Sequence, residues 1–105
     1  MKFNKYADEY EKIVVALSGE FDSYGSMEIH PEFKNLVEDE EVRDVKINMK
    51  DVRFIDSSGI GEIVFLFKAL REVRRGLELT GVHGQVKDVL ELLKIDKAIP
   101  ISMFS

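Results

Sequence analysis

The stretch FIDSSGIGEIVFLFKAL, residues 54–70, decides the fold of this chain. Two apolar residues end a strand, a short polar turn follows, and apolar residues then recur at helical spacing. Polar side chains at such a strand-to-helix corner often carry function. Three roles suit Ser57 and its neighbours: a nucleophile, a phosphate-binding turn, or a serine that is itself phosphorylated.

The composition is typical of one acidic globular domain. The chain has 105 residues, a net charge of −5 and no cysteine, so we expect a single domain over residues 1–105 without disulfides or cysteine-zinc sites. No apolar run reaches the roughly 18 residues of a membrane span, and no apolar segment of a signal peptide follows Met1. An acidic chain is a poor partner for nucleic acid or an anionic membrane. We therefore expect a cytoplasmic protein that binds neither, with no cofactor and no metal.

Hydrophobic periodicity predicts the element order β-β-α-β-α-β-α-β. Strands are predicted over residues 2–8, 13–17, 42–49, 77–82 and 99–104, and helices over residues 31–38, 58–75 and 86–93. Strands separated by helices favour parallel pairing through right-handed crossovers, whereas the first two strands can form an antiparallel hairpin. The predicted fold class is α/β, with a mixed sheet of about five strands packed with three to four helices.

Helix boundaries depend on a few residues. Asp22, Ser23 and Ser26 all offer N-caps, but Pro31 disfavours a helix that runs through it. We therefore favour a helix that begins at Pro31 over one that begins near Ser26 and kinks. Gly76 is predicted to end the following helix.

The residues around the turn support its three possible roles unequally. A nucleophilic serine needs a histidine base; only His30 and His83 are available, and the turn lacks the Gly-x-Ser-x-Gly pattern, so a hydrolase such as an esterase is disfavoured. A dinucleotide turn needs a third glycine where Val64 stands, and no P-loop lysine is present. Helix capping explains Asp56 and Ser57 most simply. A phosphate on Ser57 would still suit the positive end of the helix dipole.

Two motifs of the chain resemble those of a known family. FIDSSGIG (residues 54–61), preceded by INMKDV (residues 47–52), closely resembles the signature of STAS domains. It is most similar to the bacterial anti-sigma factor antagonists, and LSGEFD (residues 17–22) is similar to their second motif. The element order agrees along essentially the whole chain.

The resemblance implies a regulatory function without catalysis. Such an antagonist binds an anti-sigma factor that is also a serine kinase, and so frees a sigma factor. The kinase phosphorylates the serine after the aspartate, here Ser57, which ends the complex, and a serine phosphatase resets it. The resemblance places Asp22 and Asp56 at the partner-binding surface, and we expect a monomer when free. The predicted surface also includes Ser58, Gly59, Ile60 and Gly61. The alternative is a ligand- or nucleotide-binding module, or a scaffold, in another regulatory complex.

One aromatic residue has two explanations. A helical wheel predicts a buried stripe made of Ile60, Ile63, Val64, Leu66, Phe67, Leu70 and Val73. Phe65 falls on the opposite side. It either packs against a neighbouring helix or is an exposed anchor that binds the partner; the sequence leaves both open.

Overall fold

A computed structural model describes residues 1–104, which form one mixed sheet with helices packed on it. The strands are β1 (Lys2–Ala7), β2 (Ile13–Phe21), β3 (Val45–Ile55) and β4 (Leu77–Thr80), in that spatial order. The helices are α1 (Ser23–Glu38), α2 (Ser57–Glu72) and α3 (Gly84–Leu92), followed by a 3-10 turn over Ile95–Lys97. β1 pairs antiparallel with β2, and β2, β3 and β4 pair in parallel, as predicted. No helix within the described residues is long and apolar enough to cross a membrane.

The two faces of the sheet differ in chemistry. Successive strand residues point to opposite faces, and the register aligns Val15, Ile47 and Leu79 on one of them. These three are essentially inaccessible and belong to the core that α1, α2 and α3 cover. The other face carries small and polar residues at the neighbouring positions, which are Ala16, Asn48 and Thr80.

The C-terminal tail forms less of a strand than predicted. Ile101 makes an isolated parallel bridge with Leu79. The backbone N–H of Leu79 donates to the carbonyl of Pro100 at 2.9 Å, and that of Ser102 donates to the carbonyl of Leu79 at 2.9 Å. Pro100 has no N–H to extend the ladder. The sheet therefore has four regular strands, not about five.

β2 and β3 both continue beyond their predicted ends. β3 runs to Ile55 without a break, and β2 runs to Phe21 beside it. Two register shifts interrupt their pairing, between Ala16 and Ser18 and between Gly19 and Glu20 of β2, and the extra residue lies in β3 each time. Phe21 nevertheless pairs with Ile55. As a result α1 and α2 begin at neighbouring points on the same edge of the sheet.

The prediction that the first helix begins at Pro31 is wrong. The helix begins at Ser23 and contains Pro31 in its interior. Pro31 has no N–H for the carbonyl of Met27, a defect that costs about 3 kcal/mol in a helix interior. The Asp22 cap and the burial of apolar residues on both sides of the proline offset that cost. The buried apolar residues of α1 are Ile29, Phe33 and Leu36.

The end of α2 also differs from the prediction. The helix ends at Glu72, and the left-handed residue after it is Arg74 (φ 61°), not Gly76. The N–H of Gly76 instead donates to Asp44 Oδ1 at 2.7 Å. Val73 lies past the helix and is 46% exposed. Its predicted place in the buried stripe is therefore wrong, whereas the burial of Ile63, Leu66 and Leu70 is confirmed.

The first turn of α2 lies directly on the end of β2, and glycine makes this possible. A Cβ on Gly59 would overlap the carbonyl oxygen of Phe21 and would lie 2.7 Å from Ile55 Cγ1 and 2.9 Å from Phe21 Cγ. A Cβ on Gly61, in the same helix, would meet no atom within 4 Å. The two glycines of the turn therefore have different roles. Gly59 permits the close packing of α2 on the end of β2, whereas Gly61 makes no close contact that a side chain would block.

We predict opposite effects for the two alanine substitutions. Gly59→Ala should lower the free energy of unfolding by about 1–3 kcal/mol, because backbone and buried side chains must shift. Gly61→Ala should raise it by about 0.5–1 kcal/mol, since alanine favours a helix interior. Urea unfolding followed by circular dichroism measures both. Equal stabilities of the two variants would contradict the packing described for Gly59.

Candidate functional site

An aspartate caps each of the two helices that begin at the shared sheet edge. Asp22 Oδ1 accepts a hydrogen bond from the N–H of Gly25 at 2.9 Å. Asp56 Oδ1 accepts from the N–H groups of Ser58 at 2.9 Å and Gly59 at 3.2 Å. Both carboxylates thus satisfy backbone donors of their own helix.

The two corners are also joined to each other. The N–H of Asp56 donates to the carbonyl of Phe21 at 3.2 Å. Since Phe21 is the residue before Asp22, this bond ties the start of α2 to the start of α1. The two helix N-termini are therefore held as one unit.

An open groove of about 700 Å³ lies between the N-terminal halves of α1 and α2. We call it the α1–α2 groove. The residues that line it from α1 are Ser23, Ser26, Met27, His30 and Pro31. Those that line it from α2 are Ser57, Ser58, Gly61 and Glu62.

The predicted site residues divide into two sets in the structure. Ser57, Ser58 and Gly61 line the α1–α2 groove, and Ser57 and Gly61 are exposed. Gly59 is buried and Ile60 is partly buried against the core. Ser57, Ser58 and Gly61 therefore contribute to the predicted surface. Gly59 and Ile60, which lie between them in sequence, pack the helix against the sheet. The roles of all these residues in partner binding stay predictions.

Phe65 packs between α2 and α1. It is partly buried against the core, and its ring centroid lies 4.9 Å from that of His30. His30 in turn pairs through Nδ1 with the Glu62 carboxylate at 2.9 and 3.0 Å. Packing against the neighbouring helix is therefore the correct alternative for the free chain. A contact of Phe65 with a partner stays a prediction.

The histidines do not complete a nucleophilic site. His30 and Glu62 form a base-and-carboxylate pair of the kind that activates a serine, and Ser57 lines the same groove. Within residues 1–104, no hydrogen bond joins Ser57 to either histidine. His83 instead forms a hydrogen bond through Nε2 with the carbonyl of Lys50, at 2.8 Å. Residues 1–104 also contain no cluster of histidines and carboxylates suited to a metal ion.

The sequence does not reveal the contribution of α1 to the groove. Ser23 and Ser26 are predicted only as helix caps when the helix is taken to begin at Pro31. In the structure Ser26 is 8% exposed, and its hydroxyl has no hydrogen-bond partner within the described residues. Met27, by contrast, is 75% exposed at the rim. The Asp-Ser-x-Gly sequence that begins at Asp22 was the available signal, since it matches the turn at Asp56.

A glutamine completes the free end of β3. The last β4 partner in β3 is Asn48, so Ile55 has no strand on that side. The Gln85 side chain instead accepts from the N–H of Ile55 at 3.0 Å and donates to its carbonyl at 2.8 Å. The backbone just before Asp56 is therefore held from both sides, by β2 and by α3.

Comparisons with known proteins agree on one family. The family model described as the STAS domain matches residues 4–104. An anti-sigma-B factor antagonist of Staphylococcus aureus is 30% identical over 74% of this chain and 71% of its own length. An anti-sigma F factor antagonist of Paenibacillus polymyxa is 25% identical over 85% of this chain and 76% of its own length. The structure of the Bacillus cell fate determinant SpoIIAA in its phosphorylated form superposes with a TM-score of 0.74 at 20% identity, over 95% of this chain and 90% of that one.

The packing of Phe65 generates a stability prediction. Phe65→Ala should lower the free energy of unfolding by about 2–4 kcal/mol, because a large partly buried ring is lost. Met27→Ala removes an exposed side chain from the same groove region and should change it by less than about 0.5 kcal/mol. Thermal and urea unfolding measure both. A Phe65→Ala protein as stable as Met27→Ala would show that Phe65 is a free surface residue.

Proposed function

The chain belongs to the STAS domain family, in the group of anti-sigma factor antagonists, and from this premise we propose that it binds an anti-sigma factor and so releases the sigma factor held by it. We propose further that the anti-sigma factor is a serine kinase that ends the interaction by phosphorylating Ser57. One observation carries the proposal. Ser57 is the exposed first residue of α2, at the edge of an open groove large enough to receive part of a partner.

The position of Ser57 supports a switch that leaves the fold intact. A phosphate adds about −1.5 to −2 charges at neutral pH. At the N-terminus of α2 that charge meets the positive end of the helix dipole, so the helix tolerates it. Ser57 also contributes nothing to the core, because its side chain is exposed. Phosphorylation should therefore change the surface and not the stability.

The groove beside Ser57 offers an added phosphate no lysine or arginine of residues 1–104, and the His30 imidazole in its lining is already paired with Glu62. Its neighbours in the groove include the Glu62 carboxylate, and Asp56 precedes it. No lysine or arginine of the described residues lines the groove. A partner that packs closely against the free surface would then face an uncompensated anion. Such a loss of complementarity costs on the order of 2–5 kcal/mol.

With this function, the chain itself carries out no chemical step. The kinase brings the nucleotide and a serine phosphatase removes the phosphate, so the chain needs no cofactor and acts as a regulator, not an enzyme. We expect it to be a monomer when free. It would act in the cytoplasm, where sigma factors meet RNA polymerase.

A nucleotide-binding module or scaffold is the alternative, and the α1–α2 groove is the observation that favours it. The caps argue against a bound phosphate, because Asp56 already occupies the N–H groups of Ser58 and Gly59. Those are the donors that a phosphate would use at this helix terminus. Calorimetric titration of ATP and GTP into the isolated chain separates the two functions: measurable binding supports the alternative.

We predict that substitutions of Ser57 separate binding from release. Ser57→Asp should weaken partner binding by about tenfold or more, since it adds one full charge of the about −1.5 to −2 that phosphate carries. Ser57→Ala should bind the partner and keep it when ATP is added. Ser58→Ala is the matched control for the position of the phosphate: whatever partner it binds, it should still release that partner when ATP is added. The measurement is a pull-down from lysate of the source organism with ATP or ADP, quantified by mass spectrometry.

Two results would contradict the proposal. The same partners on wild type and Ser57→Asp would make Ser57 a helix cap only. Loss of the partner from Ser57→Ala on addition of ATP would contradict Ser57 as the sole switch.

A further inference from the structure

The two corners that carry the candidate site are built on the same four-residue sequence. Asp22-Ser23-Tyr24-Gly25 begins α1, and Asp56-Ser57-Ser58-Gly59 begins α2. The match is too short to be seen as a repeat by sequence alone. Its significance depends on whether the two segments have the same structure.

The two segments do have the same backbone structure. The caps have φ and ψ of −100° and −165° at Asp22, and of −117° and −170° at Asp56. In both, the carboxylate accepts from the glycine N–H three residues on, at 2.9 Å in α1 and 3.2 Å in α2. In both, the cap carbonyl accepts the first helical hydrogen bond, at 2.8 Å from Ser26 and 3.0 Å from Ile60.

The two segments are also in register with each other. The residues before the aspartates, Phe21 and Ile55, are paired across β2 and β3. Both glycines lie against the end of β2, because a Cβ on Gly25 would overlap the carbonyl oxygen of Glu20 and one on Gly59 that of Phe21. Ser23 is thus the counterpart of Ser57 in sequence, backbone conformation and place on the sheet edge.

Ser23 shares the accessibility of Ser57 as well. Each is the first residue of its helix, each is exposed, and both line the α1–α2 groove. The hydroxyl of Ser26, one turn further along α1, is buried at the groove without a hydrogen-bond partner in residues 1–104. An unpartnered buried hydroxyl is costly, which points to a polar atom of the groove's occupant. A partner that reaches Ser57 in this groove is therefore expected to reach the start of α1.

We propose that Ser23 is a second phosphate acceptor for the same kinase. This rests on the proposed function, because it needs the kinase that modifies Ser57. The Ser23 hydroxyl oxygen attacks the γ-phosphorus of the kinase-bound ATP. The new oxygen–phosphorus bond forms as the bond from the γ-phosphorus to the bridging oxygen breaks, ADP leaves, and the hydroxyl proton passes to a general base of the kinase.

A second phosphate would change the regulation of the groove. Two phosphates add twice the charge to one surface, and each is placed at the positive end of its own helix. Phosphate on Ser57 releases the partner, and the additional phosphate on Ser23 weakens rebinding further. The segments differ at one position, where Tyr24 replaces Ser58. Since Tyr24 is 76% exposed, it gives the kinase a means to modify the two serines at different rates.

The experiment uses the full chain and trypsin. The substrates are the wild type, Ser57→Ala, and Ser23→Ala combined with Ser57→Ala, incubated with lysate of the source organism and ATP labelled on its γ-phosphate. Trypsin places Ser23 in the peptide of residues 13–34 and Ser57 in the peptide of residues 54–68. Mass spectrometry then assigns each phosphate. Circular dichroism of every variant confirms that it is folded.

The expected result is label on both peptides of the wild type, label on residues 13–34 alone in Ser57→Ala, and loss of label in the double variant. Ser23→Thr combined with Ser57→Ala should restore label as phosphothreonine. Label on residues 54–68 alone, absent from Ser57→Ala, would overturn the role of Ser23 and leave the proposed function standing. Label that persists on residues 13–34 in the double variant would overturn the role of Ser23 and assign the phosphate to another hydroxyl of that peptide. No label on any substrate would overturn both the inference and the kinase switch.

Discussion

One close contact organises the site, the approach of the Gly59 backbone to the carbonyl of Phe21. It brings the first turn of α2 onto the end of β2, where α1 also begins. The hydrogen bond from the N–H of Asp56 to the same carbonyl fixes the distance. Any side chain at position 59 would push the two helix N-termini apart, and the α1–α2 groove exists only because they are adjacent. The signature glycine is thus a buried packing residue that makes the groove possible.

The aspartates of the two corners show how the site can combine rigidity with sensitivity to charge. Asp22 and Asp56 each use Oδ1 to accept hydrogen bonds from the backbone of their own helices. They therefore hold the serines in place beside a groove whose lining, among the described residues, contains the Glu62 carboxylate and no lysine or arginine. A modification that adds negative charge there meets the helix dipole but no lysine or arginine of the groove lining that the structure describes. The aspartates thus stabilise the two corners, and the serines beside them carry the proposed response to modification.

The sequence predicts most of the architecture, and its errors have identifiable physical causes. Periodicity and β-branched composition locate the sheet, its hairpin and all three helices. The start of α1 is wrong because tertiary burial and the Asp22 cap outweigh the local cost of Pro31. The end of α2 is wrong because Arg74, and not Gly76, adopts the left-handed conformation. The groove depends on the spacing of two helices that are distant in sequence, so neither the position of Phe65 against His30 nor the contribution of Ser26 could be read from local pattern.

Gln85 has a consequence for self-association. Beyond Asn48, β3 lacks a β4 neighbour, and an unpaired strand edge is a template for the addition of a foreign strand. The Gln85 amide occupies both hydrogen-bonding groups of Ile55, at the end of that edge nearest the groove. A side chain thus makes the two hydrogen bonds that a further strand would otherwise make. Unlike a strand, it offers no new edge on which the sheet could be extended. At Ile55, therefore, neither backbone group is left for a foreign strand to pair with.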